Sequence, residues 1–141
     1  MRLLVALWLA IAVPVAAEES TKDWLKRILD PVPLGVTPFP GSMVNKKITV
    51  DTIRYETNPE KRIVVYMIPV AQIAAAAAHF EKTLGTEPQK DTDAKNFERY
   101  LFTVTGEGGQ PPKAKGLTVT IFRSPWVDDM AQIQMELVPP K

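Results

Sequence analysis

The sequence predicts an α+β domain with a single antiparallel sheet of about five strands, in the order ββαβββ, a main amphipathic helix packed on the sheet and a short N-terminal helix. Three patterns predict this class. An alanine-rich stretch between Pro69 and Gly85 carries apolar residues at helical spacing. A segment that is apolar on both faces precedes it, which is typical of a central strand. Three later segments alternate apolar and polar residues, as strands of a sheet with one wet face do.

The first 17 residues have the three-part pattern of a secretory signal peptide. Arg2 precedes an apolar run over 3–15, and small residues then lead to Glu18. This run is shorter than the roughly 20 residues that a permanent membrane helix needs. We therefore expect cleavage after Ala17, no stable membrane span afterwards, and export to a bacterial periplasm or to the medium.

Charge and cysteine content restrict the partners. Loss of Arg2 with the signal peptide leaves 16 basic and 16 acidic residues, a balance that argues against nucleic acid as a partner. With no cysteine and one histidine, the usual zinc ligand sets cannot be assembled within one chain. The segment 91–96 begins like a calcium loop, but Lys95 and Asn96 stand where a ligand and a glycine are needed. We expect neither a metal nor a cofactor.

Residues 18–30 predict a short helix whose apolar stripe is Trp24, Leu25, Ile28 and Leu29. Pro31 ends it, and the helix is too short to be stable alone. It must therefore dock on its own domain, where it would cover the second face of the central strand, or engage a partner protein or a membrane surface. Residues 31–41 contain four prolines and predict an extended connector, which leads into an α+β domain over 42–141.

Within that domain, residues 47–56 predict a first strand with a bulge near 51–52, and residues 62–68 predict the second, central strand. The main helix buries one stripe, and the residue in the left-handed conformation that closes it is Gly85. The stripe consists of Val70, Ile73, Ala77, Phe80 and Leu84. After it, residues 86–96 predict a loop. The remaining strands are expected at 97–105, 117–123 and 131–138, joined by loops at 106–116 and 124–130.

Five side chains are candidate contacts for a partner. Trp126 lies in a short polar loop, where it either contacts a partner or folds back to close the core. Asp128 follows it in the same loop, and Trp24 lies on the N-terminal helix. Lys113 and Lys115 end the glycine-rich loop.

Three functions are compatible with these patterns. The first is an exported, non-enzymatic module that binds another envelope or secreted protein. The second is a carrier of a small apolar ligand in a cavity between helix and sheet, where the small side chains of Ala74, Ala77 and Ala78 would either allow close packing or leave room. The third is a hydrolase-type enzyme using His79, but this histidine is expected to face solvent, away from the helix stripe, and no oriented catalytic partner is evident.

Overall fold

The computed structural model describes residues 36–92 and 98–138. In chain order, its strands are β1 (Met43–Val44), β2 (Arg62–Pro69), β3 (Gln89–Thr92), β4 (Glu98–Thr103), β5 (Leu117–Arg123) and β6 (Met130–Leu137). Its α-helices are α1 (Lys46–Arg54) and α2 (Ile73–Leu84), and short 3-10 turns occupy Val70–Gln72 and Pro112–Ala114. The expected signal peptide and Trp24 helix lie outside the described residues.

The strands form one antiparallel sheet in the spatial order β1-β2-β6-β5-β4-β3. The predicted α+β class is confirmed. The described residues contain six strands rather than about five, and the order along the chain is βαβαββββ. The difference comes from two segments, 47–56 and 86–96.

The prediction of a bulged strand over 47–56 is wrong, because this segment forms α1. The Ile48 N–H donates to the Asn45 side-chain oxygen at 2.9 Å, and asparagine is among the best residues for starting a helix in this way. Ile48 and Thr49 are buried against β2, and Ile53 packs on the same apolar cluster. Ile48 and Ile53, two of the residues that suggested a strand, therefore lie on the inner side of a helix.

The prediction of a loop over 86–96 is also wrong in part, because β3 lies within it. This edge strand is exposed along its whole length. It is joined to β4 by cross-strand ion pairs, Arg99 with Asp91 at 2.9 Å and Lys90 with Glu98 at 3.2 Å. Charged residues on an edge strand oppose pairing with another chain's strand, so this edge is protected.

The other predicted strands are confirmed with small shifts at their ends. β2 lies between β1 and β6, and its residues 63–68 are all buried. One face of β2 shares a core with α2 and the other is covered by α1. The helix expected on that second face was the one carrying Trp24.

The main helix is confirmed. Gly85 closes α2 in the left-handed conformation with φ of 64°. Phe80 and Leu84 are fully buried, whereas Val70 and Ile73 pack on the core from its margin. Ala76 and Ala77 face the sheet.

Candidate functional site

A surface groove of about 590 Å³ lies between α1 and the loop that joins β5 to β6. We call it the aromatic groove. Its α1 wall consists of Asn45, Lys47, Ile48, Asp51, Thr52 and Tyr55, and its loop wall consists of Trp126 and Val127. Trp126 is 75% exposed and Tyr55 is 84% exposed, so two large aromatic side chains border the groove in water. Large apolar groups left in solvent around a concave surface are typical of binding sites.

Thr49 fixes the α1 wall to the sheet. Its hydroxyl donates to the Asn45 carbonyl at 2.7 Å and accepts the Val65 N–H at 3.0 Å. The Asn45 N–H in turn donates to the Val65 carbonyl at 2.9 Å. Since β1 ends at Val44, these bonds satisfy backbone groups of β2 that have no further strand beside them. The helix is therefore held in one position on β2.

An ion-pair network holds the chain that follows α1. Lys61 Nζ lies 3.1 Å from Glu56 Oε2 and 3.4 Å from Glu136 Oε1, and this joins the turn to β6. The Asn58 N–H also donates to Glu56 at 3.1 Å. That N–H, followed by the Lys61 ammonium, lowers the pKa of Glu56, and the hydrogen bond to Glu56 raises the pKa of Lys61. The network fixes the end of the groove at which Tyr55 lies.

Ser124 organises the loop wall. Its hydroxyl accepts the N–H groups of Trp126 and Val127, both at 3.2 Å, and donates to the Gln132 side-chain oxygen at 2.8 Å. Asp129 completes the turn with a positive φ of 61°, a conformation that Asp tolerates better than most residues do. The loop backbone is thus fixed, and it directs Trp126 outward.

The α1 wall presents a stripe of two charges and one aromatic ring. Lys47, Asp51 and Tyr55 recur every four residues, which places them on one side of the helix. Among the described residues, neither Lys47 nor Asp51 forms an ion pair. Both charges are therefore available to a molecule that enters the groove.

The structure brings together only some of the predicted contacts. Trp126 does not close the core, and exposed Asp128 lies in the same loop. Lys113 and Lys115 are exposed, but their loop precedes β5 whereas Trp126 follows it, so the two lie at opposite ends of that strand. Trp24 lies outside the described residues.

His79 does not face solvent freely, contrary to expectation. It is half-buried, with its ring edge-to-face against Phe39 and Phe80 at centroid distances of 5.6 and 4.9 Å. Its Nε2 lies 3.1 Å from the Thr37 carbonyl oxygen, to which it donates. The ring thereby joins the connector to α2, while Val36 of the same connector is buried in the main core. This is a packing role, and no acidic side chain among the described residues orients the ring.

Fully buried side chains fill the contact between α2 and the sheet. Phe80 of α2 meets Phe102 of β4 with ring centroids 6.2 Å apart, and Ala76 is completely buried. Of the three small residues expected at this contact, Ala77 faces the sheet but Ala74 and Ala78 are exposed. The expectation for these two was wrong, because the helix turns its 76–77 side inward.

Asp91, the first residue of the calcium-like segment, forms a two-pronged ion pair with Arg99, at 3.0 and 2.9 Å. The Arg99 guanidinium holds the pKa of Asp91 below its ordinary value. Within 36–92 and 98–138, His, Asp and Glu side chains do not gather in threes as a metal site would require. In the same residues, no helix has the length and apolar character needed to cross a membrane.

Comparison of the chain with protein families, with curated proteins and with solved structures finds no match. The fold and the aromatic groove are therefore the basis for a functional proposal.

Sequence reasoning missed Tyr55, the most exposed large hydrophobic residue described. Because Tyr55 was interpreted as a strand residue, the recurrence of Lys47, Asp51 and Tyr55 every four residues was not recognised as one side of a helix. The signal that could have found it is Asn45, which starts the helix and sets that spacing.

Proposed function

We propose that this protein is an exported, non-enzymatic α+β module that binds another envelope or secreted protein through the aromatic groove. The observation that carries the proposal is the pair of exposed aromatic side chains, Trp126 and Tyr55, on either side of a groove with fixed walls. Tyrosine and tryptophan are enriched among the residues that contribute most to protein interfaces.

The surroundings of the groove support a protein partner over a small ligand. Met43 is 73% exposed, and it pairs with Met67, so it lies on the sheet face that carries α1. Val127 is also exposed beside Trp126. An apolar centre with charged residues such as Lys47 and Asp128 near its edge is the anatomy of a protein interface.

The fixed walls favour binding without a large rearrangement. Thr49 holds one wall and Ser124 the other, each through hydrogen bonds to backbone N–H groups. A preformed surface loses less conformational entropy when a partner binds than a mobile one. Binding to this groove therefore needs no refolding of the sheet.

Crosslinking in the source organism tests the proposal. The wild-type protein should capture a specific envelope or secreted protein, and Trp126→Ala should lose it while retaining the wild-type circular dichroism spectrum and melting temperature. The matched control is the double variant Lys113→Ala and Lys115→Ala, which removes exposed side chains at the other end of β5 and should capture the partner normally.

Two results would contradict the proposal. Undiminished capture by Trp126→Ala would show that the partner does not use the aromatic groove. A small apolar molecule seen with the purified protein by native mass spectrometry, in place of a protein partner, would favour a carrier function.

A further inference from the structure

We infer that the aromatic groove binds a second copy of this chain, with the two α1 helices antiparallel about a two-fold axis. The inference goes beyond the proposed function, because it adds a second copy of the chain as an occupant of the same surface, which a different protein would have to displace. It follows from the charge pattern on the α1 wall and from the exposed aromatic residues of the groove.

The two charges of the α1 wall are complementary to themselves under a two-fold axis. Lys47 and Asp51 lie four residues apart on the side of α1 that lines the groove. When two α1 helices run antiparallel and cross at the level of residue 49, Lys47 of each copy meets Asp51 of the other. One stripe therefore supplies two identical ion pairs, which is the defining property of an isologous interface.

The same register also places an exposed aromatic side chain at each end of the helix pair. Tyr55 follows α1 directly, six residues from position 49. An antiparallel arrangement brings the tyrosine of each copy beyond the first turn of the other copy's helix. Trp126 on the facing wall then packs against the incoming helix.

Charge selects this register over its neighbours. A crossing at the level of residue 51 would place the two Asp51 carboxylates opposite each other, and like charges at an interface are strongly unfavourable. The whole chain carries a formal net charge of +1, so general repulsion between copies is weak. Because α1 is only about 14 Å long at 1.5 Å per residue, the dimer is small and its affinity moderate.

Sedimentation velocity of the purified mature chain measures the proportion of dimer. Protein concentrations from about 10 μM to about 1 mM cover the expected micromolar-to-millimolar dissociation constant. We expect a monomer–dimer equilibrium that shifts towards monomer as salt is raised. Lys47→Asp alone and Asp51→Lys alone should each weaken the dimer at least tenfold, because each introduces two like-charge contacts. Trp126→Ala should weaken it to a similar extent.

The double exchange Lys47→Asp with Asp51→Lys decides the matter, because it restores opposite charges across the axis. It should return the dissociation constant to within about threefold of wild type. Both changes suit the helix, since acidic residues favour its first turn and basic residues its last. Lys113→Asp, the same change on a distant loop, is the control and should have no effect.

A protein that stays monomeric over the whole range would overturn the inference, as would a double exchange that remains as weak as the single variants. Either outcome leaves the proposed function standing, because capture of a different protein is measured separately by crosslinking. If the wild-type protein dimerises but crosslinks to no different protein, that result would instead overturn the proposed function.

Discussion

Removal of the Thr49 hydroxyl should destabilise the protein through one identifiable backbone group. Thr49→Val keeps the shape of the side chain and its burial, and Thr49 is completely buried. The change leaves the Val65 N–H, now 3.0 Å from the hydroxyl oxygen, without an acceptor in the interior. A buried donor left unsatisfied costs about 1–3 kcal/mol, and we expect a loss of about 2 kcal/mol in the free energy of unfolding.

Urea unfolding followed by circular dichroism measures this loss. With a slope of about 2 kcal/mol per molar urea, the midpoint should fall by about 1 M at unchanged slope. Thr118→Val is the matched control, because it makes the same chemical change on a half-buried residue of β5. Its effect should lie within about 0.5 kcal/mol.

Thr49→Ser separates the hydrogen bond from the packing. It keeps the hydroxyl and removes one buried methyl group, so it should cost about 1 kcal/mol. A wild-type midpoint for Thr49→Val would refute the claim that this hydroxyl fixes α1 to β2. An equal loss in Thr118→Val would refute the claim that burial of the donor sets the magnitude.

Two further predictions concern the groove walls. Ser124→Ala removes the acceptor of the Trp126 and Val127 N–H groups, so hydrogen exchange of these two amides should accelerate. Unchanged exchange would show that the turn keeps its conformation without the Ser124 hydroxyl. Because the pKa of Glu56 is lowered in the folded state, its contribution to stability is present above the ordinary glutamate pKa and is lost as pH falls through the folded value. Glu56→Gln should therefore reduce the fall in melting temperature that occurs on acidification, as measured by thermal unfolding over a pH series. An unchanged fall would show that the contacts of Glu56 with the Asn58 N–H and with Lys61 do not contribute to stability.

Much of the fold could be predicted from the sequence because its strongest signals are local. The stripe through Phe80 and Leu84 predicts α2, and Gly85 marks its end. The alternation in 117–123 and 131–138 predicts β5 and β6 almost residue for residue. In these segments intrinsic propensity and burial favour the same structure.

Prediction failed where propensity and tertiary context disagree. The residues 48–53 are rich in β-branched side chains, which favour strands, yet α1 forms because its inner side buries against β2. β3 consists of polar and charged residues, so no apolar alternation marks it, and it is held by pairing with β4. Both elements depend on partners that are distant or unrecognisable in the sequence.

Only one wall of the candidate site could be predicted from the sequence. Trp126 is identifiable as an unusual residue in a polar loop, although its exposure depends on how Ser124 closes the turn. Tyr55 could not be identified, since its exposure follows from the helix that was taken for a strand. Because the groove needs both walls, its existence becomes evident only when α1 is placed beside the loop.

Site-specific photocrosslinking tests the central claim most directly. A photoreactive amino acid in place of Tyr55 should give a protein adduct in the source organism, and the same group in place of Lys113 should give none. Adducts from position 113 with none from position 55 would contradict the assignment of the binding surface to the aromatic groove.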